Sequence, residues 1–179
     1  MSSGVLTTDR LTLRPFVAED AKDFHRNIMA DAEVMRLLLG VKSFVETQAF
    51  LKSRGRVPQE GQPGLWAITL KDDPADEVVG YVGFLAQELE GQPVEEISYR
   101  LASRLWGQGM ANEAASAARD WFFEHTELGA FVGFILPENK VSSAVAERIG
   151  MRYWKDASVK GFDVRVYRMS REDWRSPTE

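Results

Sequence analysis

The sequence predicts an α/β protein with a central mixed, mostly antiparallel sheet flanked by helices, in the order βααβββαβαββ. Three observations carry this expectation. Glu96-Ile97-Ser98-Tyr99-Arg100-Leu101 alternates polar and apolar residues with the period of a half-buried strand. Beyond a glycine turn, Met110, Ala114, Ala117, Ala118, Trp121 and Phe122 recur at helical spacing and form one apolar stripe. A second strand-like run, Ala130 to Leu136, follows. Strand, helix and strand then form a unit expected to be parallel and right-handed.

Taken in order, Leu6 to Arg14 reads as the first strand, with Leu11 and Leu13 on one face and Pro15 ending it. Ala18 to Met29 reads as a helix, with Glu19 and Asp20 in the first turn, where carboxylates suit the dipole. Ala32 to Leu39 and Phe44 to Arg54 read as further helical pieces, broken at Gly40 and Gly55. A turn over Gln59 to Gly64 precedes two alternating strands, Leu65 to Leu70 and Val78 to Gln87, joined by polar Lys71 to Glu77. Glu90 to Pro93 makes the next turn, before the Glu96 strand. After the long helix and its following strand, Lys140 to Ile149 reads as a short helix. Met151 to Ser158 and Asp163 to Met169 pair around Gly161 as a final hairpin. No repeat, low-complexity segment or linker interrupts the chain. Residues 1–179 are expected to form a single domain, with its core over about 5–170.

Composition narrows the function. No run of eighteen apolar residues and no basic-then-apolar leader is present, so neither membrane insertion nor secretion is expected. The absence of cysteine excludes disulfides, a thiolate-bound zinc and an acyl-cysteine intermediate. It also fits a cytoplasmic location. The two histidines, His25 and His125, are far apart in sequence, and no metal site is expected of them. His25 reads as structural or solvated, and His125 suits the end of the long helix. A net charge of −5 with no basic stripe argues against nucleic acid as a partner. It is compatible with a cationic amine acceptor.

The stretch Arg104-Leu105-Trp106-Gly107-Gln108-Gly109-Met110-Ala111 holds the chemistry. A strand, a glycine turn and a helix start aim free backbone N–H groups at an anion, usually a phosphate. Gly107 and Gly109 have no Cβ, so a ligand can approach the main chain closely. A dinucleotide fingerprint would need Gly or Ala where Asn112 stands, and a P-loop would need a lysine after Gly109. An ordinary strand-to-helix loop is the plain alternative to a pyrophosphate cradle.

The turn fits R/Q-x-x-G-x-G/A and resembles the acyl-coenzyme A pyrophosphate turn of the GNAT N-acyltransferases. Pro137-Glu138-Asn139-Lys140-Val141-Ser142 resembles that superfamily's P-x-N-x-x-S segment, and its helix closes on Arg148-Ile149-Gly150. Thr8-Asp9-Arg10-Leu11-Thr12-Leu13-Arg14-Pro15-Phe16 resembles the opening strand of the RimJ/RimL-like branch. The resemblance covers roughly residues 5 to 170. It implies the GNAT fold, with the two parallel strands splayed so that an acyl-pantetheine slides between them and pairs with their free backbone groups. It implies acetyl-CoA as acyl donor and no metal.

Site residues follow from the resemblance, each with a structural alternative. Leu101, Arg104, Gly107, Gln108, Gly109, Met110 and Ala111 are the cofactor-binding residues expected at the turn, with the N–H groups of Gln108 through Ala111 as donors. Arg104 reaches a phosphate or is solvated, and Trp106 packs under the turn. Glu113 is explained by the helix dipole alone. Asn139 meets the cofactor, caps the short helix, or does both. Ser142 assists the leaving thiolate or is an ordinary first-turn residue, with Ser143 the neighbouring alternative. Glu95 and Glu96 fall on opposite faces of the strand, so at most one enters the site. Glu96 is preferred as the base because it shares its face with Ser98 and Arg100; a strand-entry surface carboxylate, with a water relay as base, is the alternative. Tyr99, Trp66 and Tyr153 line the acceptor pocket or belong to core faces.

The expected reaction is direct acetyl transfer from acetyl-CoA to a primary amine, a protein α-amine or a small amine, with no covalent enzyme intermediate. A lysine amine (pKa ~10.4) must lose about 3.5 kcal/mol more in deprotonation than an α-amine (pKa ~7.8), which favours an α-amine or another low-pKa amine. A non-catalytic acyl-CoA-binding or regulatory domain of the same fold is the competing reading. A nucleotide-binding oxidoreductase is disfavoured by Asn112. Acceptor identity and assembly state, monomer or homodimer, stay open.

Overall fold

A computed structural model describes residues 4–175. Its strands are β1 (Leu6–Thr7), β2 (Leu11–Pro15), β3 (Leu65–Leu70), β4 (Gly80–Leu89), β5 (Gln92–Leu101), β6 (Ala130–Ile135), β7 (Arg152–Val159) and β8 (Phe162–Ser170). They form one mixed sheet in the order β1-β2-β3-β4-β5-β6-β8-β7. Every neighbouring pair is antiparallel except β5 and β6. The helices are α1 (Ala21–Phe24), α2 (Phe44–Arg54), α3 (Met110–His125), α4 (Lys140–Arg148) and α5 (Arg171–Arg175).

Alternation places the core on both faces of the sheet. Trp66 and Ile68 of β3 and Val82 and Phe84 of β4 pack with the Ala114, Ala118, Trp121 and Phe122 stripe of α3. The intervening residues Leu65, Ala67, Tyr81 and Leu85 pack on the other face with Phe24, Ile28 and Met35. A sheet covered on both sides reads as near-continuous apolar sequence, as β3 does.

The long β4–β5 hairpin turns on Glu90 and Gly91, at φ 51° and 77°, with Leu89 opposite Gln92. Two consecutive positive φ values define the two-residue turn whose twist matches the flanking strands. At the start of α2, Ser43 Oγ accepts the Glu46 N–H at 3.2 Å, and the Glu46 carboxylate accepts the Ser43 N–H at 2.7 Å. This reciprocal cap sets where the helix begins.

Two expected elements are corrected. Leu6 to Arg14 is not one strand, because the chain reverses at Thr8–Arg10, where the Thr8 N–H bonds the Leu11 carbonyl at 2.9 Å and Leu6 pairs with Leu13. Ala32 to Leu39 is a run of turns, not a helix. Its bonds mix four-residue and three-residue steps, Met35 to Asp31 and then Arg36 to Glu33, so no continuous ladder forms. Ala18 to Met29 is helical but changes pitch, from a 3₁₀ turn through α1 to a π turn over His25–Met29. The short helix α5 had no periodicity long enough to announce it.

Candidate active site

The parallel pair governs the site. β5 and β6 meet in register only at Glu96 opposite Val132 and diverge elsewhere. A cleft of about 620 Å³ opens along this splay, bounded by α3, α4 and the turns of residues 31–39. Ile97, Tyr99 and Leu101 face the α3–α4 side of β5, while Glu96, Ser98 and Arg100 face the opposite side.

At one end lies the glycine turn. Gly107 and Gly109 sit in the left-handed region at φ 72° and 78°, and Gly109 is the N-cap residue of α3. The first-turn N–H groups of α3 therefore have no acceptor within the helix. A Cβ at Gly107 would meet nothing within 4 Å, and one at Gly109 would meet only Arg10 Nη2, at 3.7 Å. The turn is open, not packed shut.

At the other side, Asn139 caps α4, its side-chain oxygen accepting the Ser142 N–H at 3.1 Å. The Tyr99 hydroxyl donates to the Ser142 carbonyl at 3.0 Å and so ties α4 to β5 across the splay. Burial raises the Tyr99 pKa, an effect its bond to Ser142 only partly offsets. The phenol therefore stays protonated.

Glu96 lines the cleft and receives a 2.7 Å hydrogen bond from Gln87 Nε2. Burial lifts its carboxyl above the usual range. The Gln87 bond and the charges of Arg100, Lys160 and Arg54 pull the other way without cancelling the burial effect.

The structure gathers Glu96, Leu101, Gly107, Gly109, Met110, Ala111, Asn139 and Ser142 around one cleft. Arg104 and Gln108 are not among its lining residues. Arg104 donates to Asn27 Oδ1 at 3.2 Å and pairs with Glu77 at 3.3 Å, directed away from the turn. The Gln108 side chain folds back to the Arg104 carbonyl at 3.1 Å. Trp106 does not pack under the turn; it is 46% exposed, lines the cleft and donates to the Leu101 carbonyl at 2.9 Å. Glu95 is held on the other face by the Arg56 guanidinium. Of the three aromatics, Tyr99 lines the cleft, Trp66 is fully buried against Trp121, and Tyr153 is exposed on β7. Ser143 is buried, its hydroxyl without a partner among the described residues. His25 bonds Thr47 at 2.9 Å, and His125 stacks on Trp121.

Sequence reasoning missed the part played by Arg10. Its guanidinium donates to the Gln108 carbonyl at 2.8 Å and pairs with Glu113 at 2.7 Å, which fixes the turn from outside. The Thr8-Asp9-Arg10 segment was the available signal. The Glu113 carboxylate does more than meet the helix dipole, because it anchors this contact.

Comparison with known proteins decides the family. A GNAT acetyltransferase domain model matches residues 10–152, a span that includes β5, the turn, α3 and α4. The chain belongs to the GNAT acetyltransferase family. This acyltransferase is 34% identical over 162 residues to the protein YkkB of Bacillus subtilis, covering 90% of the chain and 93% of YkkB. It is 31% identical to an acetyltransferase of Agrobacterium tumefaciens whose crystal structure superposes with a TM-score of 0.71, covering 92% and 93% of the two chains. The ribosomal-protein α-N-acetyltransferase RimL, solved with coenzyme A, shares the fold at a TM-score of 0.75 and 20% identity, over 93% and 97% of the chains. Among the described residues, no group of His, Asp or Glu could hold a metal ion.

Proposed function

We propose that this GNAT protein is a single-domain N-acetyltransferase of the RimJ/RimL-like branch. It moves the acetyl group of acetyl-CoA directly to a primary amine, a protein N-terminal α-amine or a small amine. The observation that carries this reading is the splay of β5 from β6 with an open glycine turn at one end and a half-buried carboxylate on the far face. Support for the donor comes from the same features: a Cβ-free left-handed turn, uncommitted N–H groups at the start of a 16-residue helix, and strand edges left free by the splay. RimL, which shares this fold, was solved with coenzyme A. A cytoplasmic location accords with the absence of cysteine. No helix among the described residues is long and apolar enough to cross a membrane.

Acetyl-CoA, when bound, supplies an acyl group activated as a thioester. Gly107 and Gly109 let a pyrophosphate approach the main chain, and the N–H groups of Met110 and Ala111 would hold it. Leu101, at the end of β5, would border the pantetheine. Asn139 has its oxygen committed to Ser142, which leaves its amide N–H groups to donate. Ser142 would place a hydroxyl beside the sulfur. On the opposite face, one oxygen of Glu96 is held by Gln87 and the other is left to take the proton from an acceptor ammonium. Donor and acceptor thus approach from opposite faces of the sheet. Positioning carries most of the rate, and proton transfer adds about 10²–10⁴-fold.

Calorimetry with acetyl-CoA, paired with a coenzyme A thiol-release assay over α-amines, amino acids, polyamines and aminoglycosides, tests the proposal. Binding together with turnover on a primary amine is the expected result. Binding without turnover on any amine would make the chain a regulatory acyl-CoA-binding domain. Absence of acetyl-CoA binding would overturn the cradle itself.

A further inference from the structure

β5 presents Glu96, Ser98 and Arg100 in a row on the face away from α3, and all three line the cleft. Ser98 Oγ lies 2.9 Å from the Tyr81 hydroxyl. Arg100 has no part in the scheme above, yet its surroundings are unusual for a half-buried guanidinium. Arg14, Arg56 and Arg119 each face a carboxylate. Arg100 instead directs one N–H to the Met35 sulfur at 3.8 Å and lies 5.6 Å over the Tyr81 ring. It forms no salt bridge among the described residues. A thioether is a weak acceptor and a ring face offers only its quadrupole, so neither neutralises the charge. The Glu96 carboxylate feels Arg100 only through space, and a partly desolvated cation with no carboxylate in contact among the described residues is costly unless an anion arrives with a ligand.

The neighbouring charges point the same way. The turns across the cleft contribute Glu33 and Arg36, both exposed at its mouth. Arg54 at the end of α2 and Lys160 in the β7–β8 turn, bonded to Ala86 and Gln87 of β4, act together with Arg100 on the Glu96 carboxyl. A polycationic amine would meet net repulsion here, whereas an amine that also bears an oxyanion finds a partner for each end.

We propose that Arg100 is an anion subsite, and that the acceptor is an amine also carrying a carboxylate or comparable oxyanion, bound with the oxyanion on Arg100 and the amine toward Glu96. Residues four apart on a strand lie about 13 Å apart along it. Even after the reach of both side chains, amine and oxyanion should be separated by several bonds. The inference rests on the transferase reading only for which end faces Glu96.

The test loads the full chain with coenzyme A and measures acceptor binding by calorimetry. Two matched sets serve as probes: aminohexanoate, its carboxamide and hexanediamine, and free-N-terminal peptides differing only in Glu, Gln or Lys at the second position. Carboxylate members should bind about tenfold or more tighter than their amides, and the cationic members more weakly still. Arg100→Gln should abolish the preference and Arg100→Lys restore part of it, with acetyl-CoA affinity unchanged in both. Thiol release is read in parallel with acetyl-CoA. A carboxylate preference lost in Arg100→Gln but without any turnover would uphold the subsite and overturn the transferase reading. Equal binding within each set, preference for the cationic members, no binding of any member, or a preference that survives Arg100→Gln would overturn the subsite.

Discussion

Glu113 and Arg10 meet through both backbone and side chain: the carboxylate accepts the Arg10 N–H at 2.8 Å and its Nε–H at 2.7 Å, and the Thr8 hydroxyl adds a third bond at 2.6 Å. One carboxylate thus holds the N-terminal hairpin against the first turn of α3, beside the glycine turn. Burial alone would raise the Glu113 pKa, but these bonds outweigh it and hold the carboxyl below its usual range. A lowered folded pKa stabilises above the unfolded value of ~4.3 and loses that contribution as pH falls through the folded value. Glu113→Gln is therefore expected to lower stability by about 2 kcal/mol at neutral pH. The gap to the parent should narrow in denaturant titrations run below pH ~4.3. A gap independent of pH would show that the carboxylate charge contributes nothing.

Gly109 supports a second prediction, made specific by a control. Gly109 and Gly61 share a left-handed φ of 78° and 77° with ample space for a Cβ, but only Gly109 lines the cleft. Valine at either position should cost roughly 1–2 kcal/mol in backbone strain. Acetyl-CoA binding should fail only in Gly109→Val. Undiminished affinity in a folded Gly109→Val protein would remove the pyrophosphate from this turn.

Ser142→Ala separates binding from chemistry. The Asn139 cap uses the Ser142 backbone N–H and the Tyr99 bond uses its carbonyl, and the substitution keeps both. Turnover is expected to fall by about 10²-fold with acetyl-CoA affinity nearly unchanged. An unchanged rate under conditions where chemistry limits would reduce Ser142 to a first-turn residue of α4.

Glu96→Gln addresses the base. Because burial raises its pKa, the ascending limb of kcat/KM should lie above the ordinary carboxylate value of ~4.3. The amide variant should lose that limb, and its deficit should shrink as pH approaches the acceptor's own pKa. A profile identical to the parent's would leave water or the substrate as base. Arg56 pairs with Glu95 on the other face, so Glu95→Gln is expected to leave the pH profile unchanged, and a lost limb there would move the base to Glu95.

Much of the candidate site's backbone geometry was legible because its signals are local. Alternation over Glu96–Leu101, the glycine pair and the P-x-N-x-x-S segment each specify backbone geometry within a few residues. Together they locate β5, α3, α4 and the cleft between them. Long side chains were not legible in the same way. Arg104 stands in the motif yet turns to Glu77, while Arg10, distant in sequence, reaches the turn. Tertiary approach decides such pairings. Strand period left Trp66, Tyr99 and Tyr153 open between acceptor pocket and core face, because it does not say which faces are covered, and β3 is covered on both. The turns of residues 31–39 carry apolar residues at helical spacing, and only the broken hydrogen-bond ladder tells them from a helix.

Direct transfer from thioester to amine is tested by a mass balance. Purified protein, acetyl-CoA and a productive amine are mixed, and intact-mass spectra of protein and acceptor are recorded alongside released thiol. One acetylated amine per thiol released is expected, with the protein mass unchanged at every time point. A protein-bound acetyl group that forms before the product and decays into it would instead show a covalent intermediate and rule out direct transfer.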